Sequence, residues 1–303
     1  MAFNWKTHGA VDYLKSLVIL GYNNSRIAEL MSKKYNREFT SMSIAHAKDR
    51  YNILKYCVEY NENCRYYTDE ILHLPDDDYM ISCDYHSPYH SELYHNRFMC
   101  VADHLKIRKN IIVGDLVDMD CFKYWPSDDK TTFDQQIAGV APVIESLDYF
   151  DKNILIHGNH ENRVNRMTEG KIQARHLFEL FGEKVWREKF EYSVFDKLYI
   201  GDKWVLLHPA AYRQNSASVA LDFTIIFQRH VMNAHGHFIA MRYDRGGRYM
   251  GIDLGGMFDT RKIEYINKKT TTHPRWNNGF GVLKNGHFYH FHDNTDWEFW
   301  GAD

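Results

Sequence analysis

Five short stretches of the sequence end an apolar run in side chains able to hold a cation or move a proton. In "YMISCDYH" Asp84 and His86 stand two apart, so an extended chain projects both to one side. In "NIIVGDLVDMD" Gly114 lets the chain turn, Asp115 leaves the end of the run, and Asp118 follows. "NILIHGNHEN" presents Asn159, His160 and Glu161 together, "KWVLLHP" ends in His208, and "VMNAHGHF" carries His235 and His237, again on one side. A single histidine after a strand is usually structural. Buried carboxylates and imidazoles, however, cost several kcal/mol each unless paired or metal-bound. Five such stretches converging on one sheet edge therefore predict a cation cluster.

Each stretch needs a strand behind it. Candidate strands lie at 79–84, 110–115, 153–157, 203–207, 230–234, 248–253 and 279–284, with helices near 132–149 and 171–181. Asn285-Gly286 predicts a hairpin turn into "HFYHFH", and Gly246-Gly247 a second one. Alternating strands and helices from about residue 77 predict an α/β domain over 77–303. Residues 57–76 read as a polar connector.

The first 60 residues have a different style and predict three short helices. Val11, Leu14, Leu17 and Val18 recur at helical spacing before Gly21; Ile27, Leu30 and Met31 follow a cap at Asn24 or Ser25. Ile44, Ala47, Tyr51 and Leu54 follow one at Thr40 or Ser41. Lys48, Arg50 and Lys55 make the third helix basic. Residues 1–56 hold nine Lys/Arg against four Asp/Glu (+5), and the rest hold 28 against 36 (−8). This head resembles a helix-turn-helix module, with Arg26, Lys48 and Arg50 as nucleic-acid contacts. The alternative is a small helical cap with a solvated basic face.

The ordered set D-x-H, G-D-x-x-D, G-N-H-E, H and H-x-H resembles the calcineurin-like metallophosphoesterase superfamily over about residues 79–290. Its last motif there is usually G-H-x-H; Ala234 replaces the leading glycine. The resemblance implies a four-layer α/β/β/α sandwich preceded by the small all-α domain. It further implies two divalent metal ions. Asp84, His86 and His237 hold one, Asn159, His208 and His235 the other, and Asp115 bridges them. His160 is the implied catalytic histidine, the general acid to a hydroxide shared by the metals. Asp118 either orients His160 or caps the next helix, and Glu161 is a structural or orienting residue rather than a ligand. Imidazole, carboxylate and amide donors without thiolate suit manganese, the favoured candidate, and also Fe, Zn, Co or Ni.

The superfamily spans phosphatases, phosphodiesterases and nucleases, so local features must choose the substrate. Arg163 and Arg166 after the catalytic histidine, and Arg242 after the last motif, are candidate phosphate contacts. Serine/threonine protein phosphatases usually carry Arg-Gly after the second aspartate and Arg before G-N-H-E. Met119-Asp120 and His157 stand there instead. A phosphodiesterase or nuclease, acting on DNA rather than RNA, is the expectation. A protein phosphatase or small-molecule phosphomonoesterase is the alternative, and an intact ligand set argues against a vestigial site. The head-plus-phosphoesterase arrangement resembles proteins of phage origin. Five cysteines without metal-knuckle spacing, an opening without an apolar leader segment, and no apolar run of about 18–20 residues predict a cytoplasmic protein.

Overall fold

The computed structural model describes residues 3, 5, 9–19, 24–51, 53, 67–68, 71–123, 131–263 and 276–302. Gly21, Leu54 and Lys55 lie outside the described residues. The chain divides into two compact units, Met1–Arg65 and Tyr66–Asp303.

The first unit contains α1 (Ala10–Ile19), α2 (Asn24–Tyr35) and α3 (Ser41–Arg50). Leu14, Leu17, Ile27, Met31, Ile44 and Ala47, spaced for one helical face each, are buried together with Phe39. The edges of Phe3 and Trp5 close over Phe39. Thr40 starts α3 through a reciprocal cap. Its Oγ1 accepts from the Ser43 amide at 3.1 Å, and Ser43 Oγ accepts from the Thr40 amide at 3.0 Å.

In the second unit the strands are β1 (Tyr67–Thr68), β2 (Leu72–Leu74), β3 (Tyr79–Ser82), β4 (Lys109–Val113), β5 (Lys152–Ile156), β6 (Phe190–Ser193), β7 (Lys197–Ile200), β8 (Trp204–Leu207), β9 (His230–Asn233), β10 (Ile239–Tyr243), β11 (Met250–Leu254), β12 (Gly279–Lys284) and β13 (His287–His292). They form two sheets, in the orders β1-β6-β5-β4-β3-β12-β13 and β10-β11-β9-β8-β7-β2. In the first sheet β3, β4, β5 and β6 run parallel, and β12 and β13 close the edge as an antiparallel hairpin. Asn285 and Gly286 turn that hairpin at φ +52° and +75°.

Near-continuous apolar runs make these strands buried on both faces, as parallel strands require. Ile81, Ile111, Val113, Ile154 and Ile156 of the first sheet meet Leu198, Leu206, Met232 and Ile252 of the second. On its other face the first sheet buries Met80, Ile112 and Leu155 against Phe98 and Val101 of α4 (Glu92–Leu105) and Val140 and Val143 of α5 (Phe133–Ser146). The outer face of the second sheet packs Val205, Leu207 and Val231 on Ala220 and Phe223 of a helix at Ser218–Phe227. The layers are therefore helix, sheet, sheet, helix.

Differences from the expected elements are local. β1 and β2 arise inside the stretch 57–76, read as a connector, because their backbones pair in parallel with β6 and β7. The helix expected at 171–181 is a turn of α-helix, Arg175–Phe178, followed by a 3-10 turn. Helix α4 escapes the periodic reading because His, Asn and Arg interrupt its apolar spacing. Ser91 starts it by accepting from the Tyr94 amide. Cys83, Cys100 and Cys121 are free thiols; Cys57 and Cys64 lie outside the described residues. Among the described residues no helix is long and apolar enough to cross a membrane.

Phe280 of β12 is fully buried between α4 and the hairpin, stacked on Phe291 at 5.1 Å and edge-on to Phe98 at 5.2 Å. Phe280→Ala should lower the unfolding free energy by about 3–5 kcal/mol, read as a shifted urea midpoint at unchanged slope.

Candidate metal centre

The ligand-type residues all follow the carboxyl ends of parallel strands: β3, β4 and β5 in the first sheet, β8 and β9 in the second. That end of an α/β sheet is where side chains leave the ladder and can converge. Here the ladder continues into the loops. The amides of Asp84, His86 and Ser87 donate to the carbonyls of Gly114, Asp115 and Leu116 at 2.9–3.1 Å. The D-x-H loop is thereby registered against the G-D loop.

Three groups of ligand-type atoms result, one of them His86, Asp118 and His160. Asp84, His86 and His237 converge in another, and Asp115, His208 and His235 in the third. His237 Nε2 lies 3.0 Å from Asp84 Oδ1 and 3.2 Å from His86 Nε2. His208 Nε2 lies 3.2 Å from Asp115 Oδ2 and 3.1 Å from Asn159 Oδ1. Ligands about 2.1 Å from a shared cation stand about 3.0–3.4 Å apart in octahedral or tetrahedral geometry, so these four pairs have the spacing of neighbouring ligands. Asp115 Oδ2 and His237 Nδ1 are buried without a hydrogen-bond partner among the described residues. Imidazoles, His208 at 3.2 Å and His160 at 3.8 Å, are the ion-pair partners of that carboxylate oxygen. The donor set of buried carboxylates and imidazoles fits divalent cations.

The loops reach this geometry at a conformational cost. Asp84, His86, Asp115, His235 and His237, five of the seven expected ligands, have φ between +48° and +70°. Non-glycine residues held there cost about 1–3 kcal/mol each, and such residues cluster at functional sites. Two glycines are required by contact. A Cβ on Gly114, itself at φ +75°, would overlap the His208 ring. A Cβ on Gly158 would overlap Asp115 and stand 2.6 Å from Glu161 Oε2. Glu161 is the buried anchor of the loops, its carboxylate accepting from the amides of Asp115 and Gly158 at 3.0 Å and Val117 at 3.3 Å. His208 Nδ1 is 2.8 Å from the Val113 carbonyl, to which it donates, leaving Nε2 facing the site.

Asp118 Oδ2 stands 3.2 Å from His160 Nδ1 and 3.3 Å from His86 Nδ1. The 3-10 turn after it begins at Met119 without a side-chain cap, so Asp118 turns toward the histidines and caps nothing. His160 Nε2 accepts from Arg163 Nη2 at 2.9 Å, while Arg163 Nη1 binds the carbonyl (2.6 Å) and the carboxylate (2.8 Å) of Asp118. Arg163 is thus inside the site and engaged. Arg166 is exposed on the short helix Asn162–Met167, and Arg242 is exposed on β10. His157 hydrogen-bonds Tyr192 at 2.5 Å. In the first unit Lys48 donates to Asn24 Oδ1 at 2.6 Å, Arg26 pairs with Glu29 at 2.5 Å, and Arg50 is exposed. An aromatic wall stands beside the cluster. Phe258 and Trp276 lie 4.7 and 4.1 Å from the His237 ring. Neither sits in a motif.

The electrostatics follow from burial of many charges together. Burial opposes the charge on Asp84, Asp115 and Asp118, yet the surrounding imidazoles outweigh it and hold all three carboxyls well below the usual range. Burial likewise opposes charge on His86, but hydrogen bonds to Asp118 and Asp84 push it up to about 9. The Asp115 carboxylate similarly pushes His208 up to about 10. Burial dominates at His160 and His235, which fall to about 4. Burial and the Asp115 charge raise Glu161 to about 7.

No family model matches the chain, and no characterised protein sequence matches it. Among solved structures, Yfce, a phosphoesterase from E. coli, is similar over 69% of this chain and 88% of its own, at 13% identity and a TM-score of 0.35. TT1561 of Thermus thermophilus is similar over 71% and 98%, at 8% identity and a TM-score of 0.37. The chemistry open to this chain is decided by its own side chains.

With His86 and His208 protonated in the metal-free protein, each must lose a proton before its Nε2 lone pair can face a cation. Metal binding at pH 7 should release about two protons per chain, and affinity should fall as pH falls. Calorimetry of manganese binding in buffers of different ionisation enthalpy reads the number; an enthalpy independent of buffer would contradict it.

Proposed function

We propose that the chain is a metal-dependent phosphoester hydrolase acting on nucleic acid, with two divalent cations, manganese foremost. The observation that carries this reading is the convergence of Asp84, His86 and His237 beside Asp115, His208 and His235 at one sheet rim. Asp84, His86 and His237 would hold one cation and Asn159, His208 and His235 the second, with Asp115 between them. When bound, such a pair neutralises phosphate charge and lowers the pKa of a coordinated water.

The remaining steps belong to the chain. Asp118 fixes the His160 ring by accepting from Nδ1, which leaves Nε2 to exchange a proton with the leaving oxygen. In the resting state that nitrogen accepts from Arg163, and burial keeps the ring neutral. An incoming phosphate offers the guanidinium a better partner than an imidazole lone pair. Arg163 then leaves His160 Nε2 free to protonate, beside the carboxylates of Asp115 and Asp118. The aromatic wall of Phe258 and Trp276 limits water on the His237 side.

The first unit would supply the docking surface. Arg50, with Met42 and His46, lies on α3, whose other face is buried. Lys48 and Arg26 are held by Asn24 and Glu29, so Arg50 is the stronger candidate for a phosphate contact.

Manganese-loaded protein should cleave bis-p-nitrophenyl phosphate and DNA in preference to p-nitrophenyl phosphate and a phosphopeptide. His160→Ala should keep its metal content and lose about 10²- to 10⁴-fold in turnover on a poor leaving group. Metal lost in step with activity would contradict the division of roles. Arg50→Ala should weaken DNA binding and reduce the slope of log affinity against log salt by about one; an unchanged slope removes Arg50 from the interface.

A further inference from the structure

Two of the loops that carry candidate ligands run on, past His208 and past His237, into the walls of one cleft. Its volume is about 610 Å³. Gln214, Asn215 and Ser216 line one wall, Phe238 and Arg242 another, and Asn277 a third. The cleft is tied to the candidate metal centre through the backbone. Phe238 directly follows His237, and the Asn277 amide donates to the His237 carbonyl at 2.9 Å. Buried Asp253 pins the end of the first wall. Its Oδ2 accepts from the amide of Ala217 (φ +57°) at 2.6 Å, and its Oδ1 accepts from Asn233 Nδ2 at 2.9 Å.

The lining has a specific chemistry. Gln214, Asn215 and Asn277 are exposed, and each carries a carbonyl acceptor beside an amide donor. Tyr212, 54% exposed, stands beside the buried Phe238 ring with centroids 6.0 Å apart and planes tilted by 36°, so an accessible aromatic ring borders the wall that Phe238 forms. Among the described residues Arg242 supplies the one cation of the lining, its Nη1 reaching toward the Ser216 carbonyl at 3.5 Å. Paired donors and acceptors match the edge of a nucleobase, an aromatic face matches its plane, and a guanidinium matches a flanking phosphate. A phosphoserine or phosphothreonine side chain would leave the aromatic face without a planar partner.

We propose that this cleft seats the nucleoside attached to the phosphate held at the metal centre, with the amides of Asn215 and Asn277 reading its base edge and Arg242 on the neighbouring phosphate. The proposal rests on the phosphoester-hydrolase reading and names the substrate class of that site. Asp253 acts as a positioning residue through the Ala217 amide.

The test compares wild-type protein with the Asn215→Ala/Asn277→Ala double variant, both manganese-loaded. Calorimetry measures binding of thymidine 5′-monophosphate and of inorganic phosphate. Kinetics measure kcat/KM for the p-nitrophenyl ester of thymidine 5′-monophosphate relative to bis-p-nitrophenyl phosphate. The double variant should lose about tenfold in nucleotide affinity relative to phosphate, and about tenfold in the kinetic ratio. Unchanged ratios, or a larger loss for a phosphopeptide, would overturn the assignment. A wild-type protein that binds the nucleotide through these residues yet hydrolyses neither ester keeps the cleft and removes the reaction. The single variants Asn215→Ala and Asn277→Ala, each at an exposed position, repeat the measurement should the double variant fail to fold.

Discussion

Four buried carboxylates, Asp84, Asp115, Asp118 and Glu161, share one rim of the sheet sandwich, and the rest of the second unit is arranged around that fact. Two like charges 4 Å apart repel by about 4 kcal/mol at the effective dielectric of a protein. They also lose hydration on burial. Such a cluster persists only if positive charge enters with it. The metal-free chain supplies that charge from its imidazoles, chiefly His86 and His208, and raises Glu161 toward neutrality. A pair of divalent cations would supply it more completely, because each binds several donors at once and replaces protons rather than adding to them.

The scaffold follows from this constraint. Side chains that repel one another must be held by something stiffer than their own loops. The parallel strands β3, β4 and β5 provide that, buried on both faces and hydrogen-bonded onward past their ends. Left-handed conformations at five of the seven expected ligands show the loops bent to the cluster rather than relaxed. Gly114 and Gly158 leave room where a Cβ would strike His208 or Asp115. Glu161 gathers three amides of those loops onto one carboxylate. Stability contributed by the apolar interior between the sheets offsets the strain at its rim.

Much of this was legible in the sequence, and the reason is local. An unbroken apolar run that ends in Asp, Asn or His marks both a buried strand and the exit of a ligand-type side chain from it. Strand and ligand were therefore read from the same few residues at β3, β4, β5, β8 and β9. β6 and β7 carry no unbroken apolar run ending in Asp, Asn or His, so they do not stand out. β1 and β2 exist only because distant backbones pair with them. Side-chain partnership was the least legible feature. Arg163 stands on Asp118 and His160, and Lys48 on Asn24, and no local pattern in the chain marks either pairing. The cleft walls come from irregular segments with no periodicity, so Gln214, Asn215 and Asn277 carried no signal in the chain.

The central claim, that this rim exists to hold a pair of cations about Asp115, is tested most directly by metal stoichiometry. Elemental analysis and electron paramagnetic resonance of manganese-reconstituted protein should show two ions per chain, magnetically coupled, and Asp115→Asn should lose or uncouple both. A folded wild-type chain that takes up no manganese, or an Asp115→Asn protein with the full coupled pair, would contradict the account.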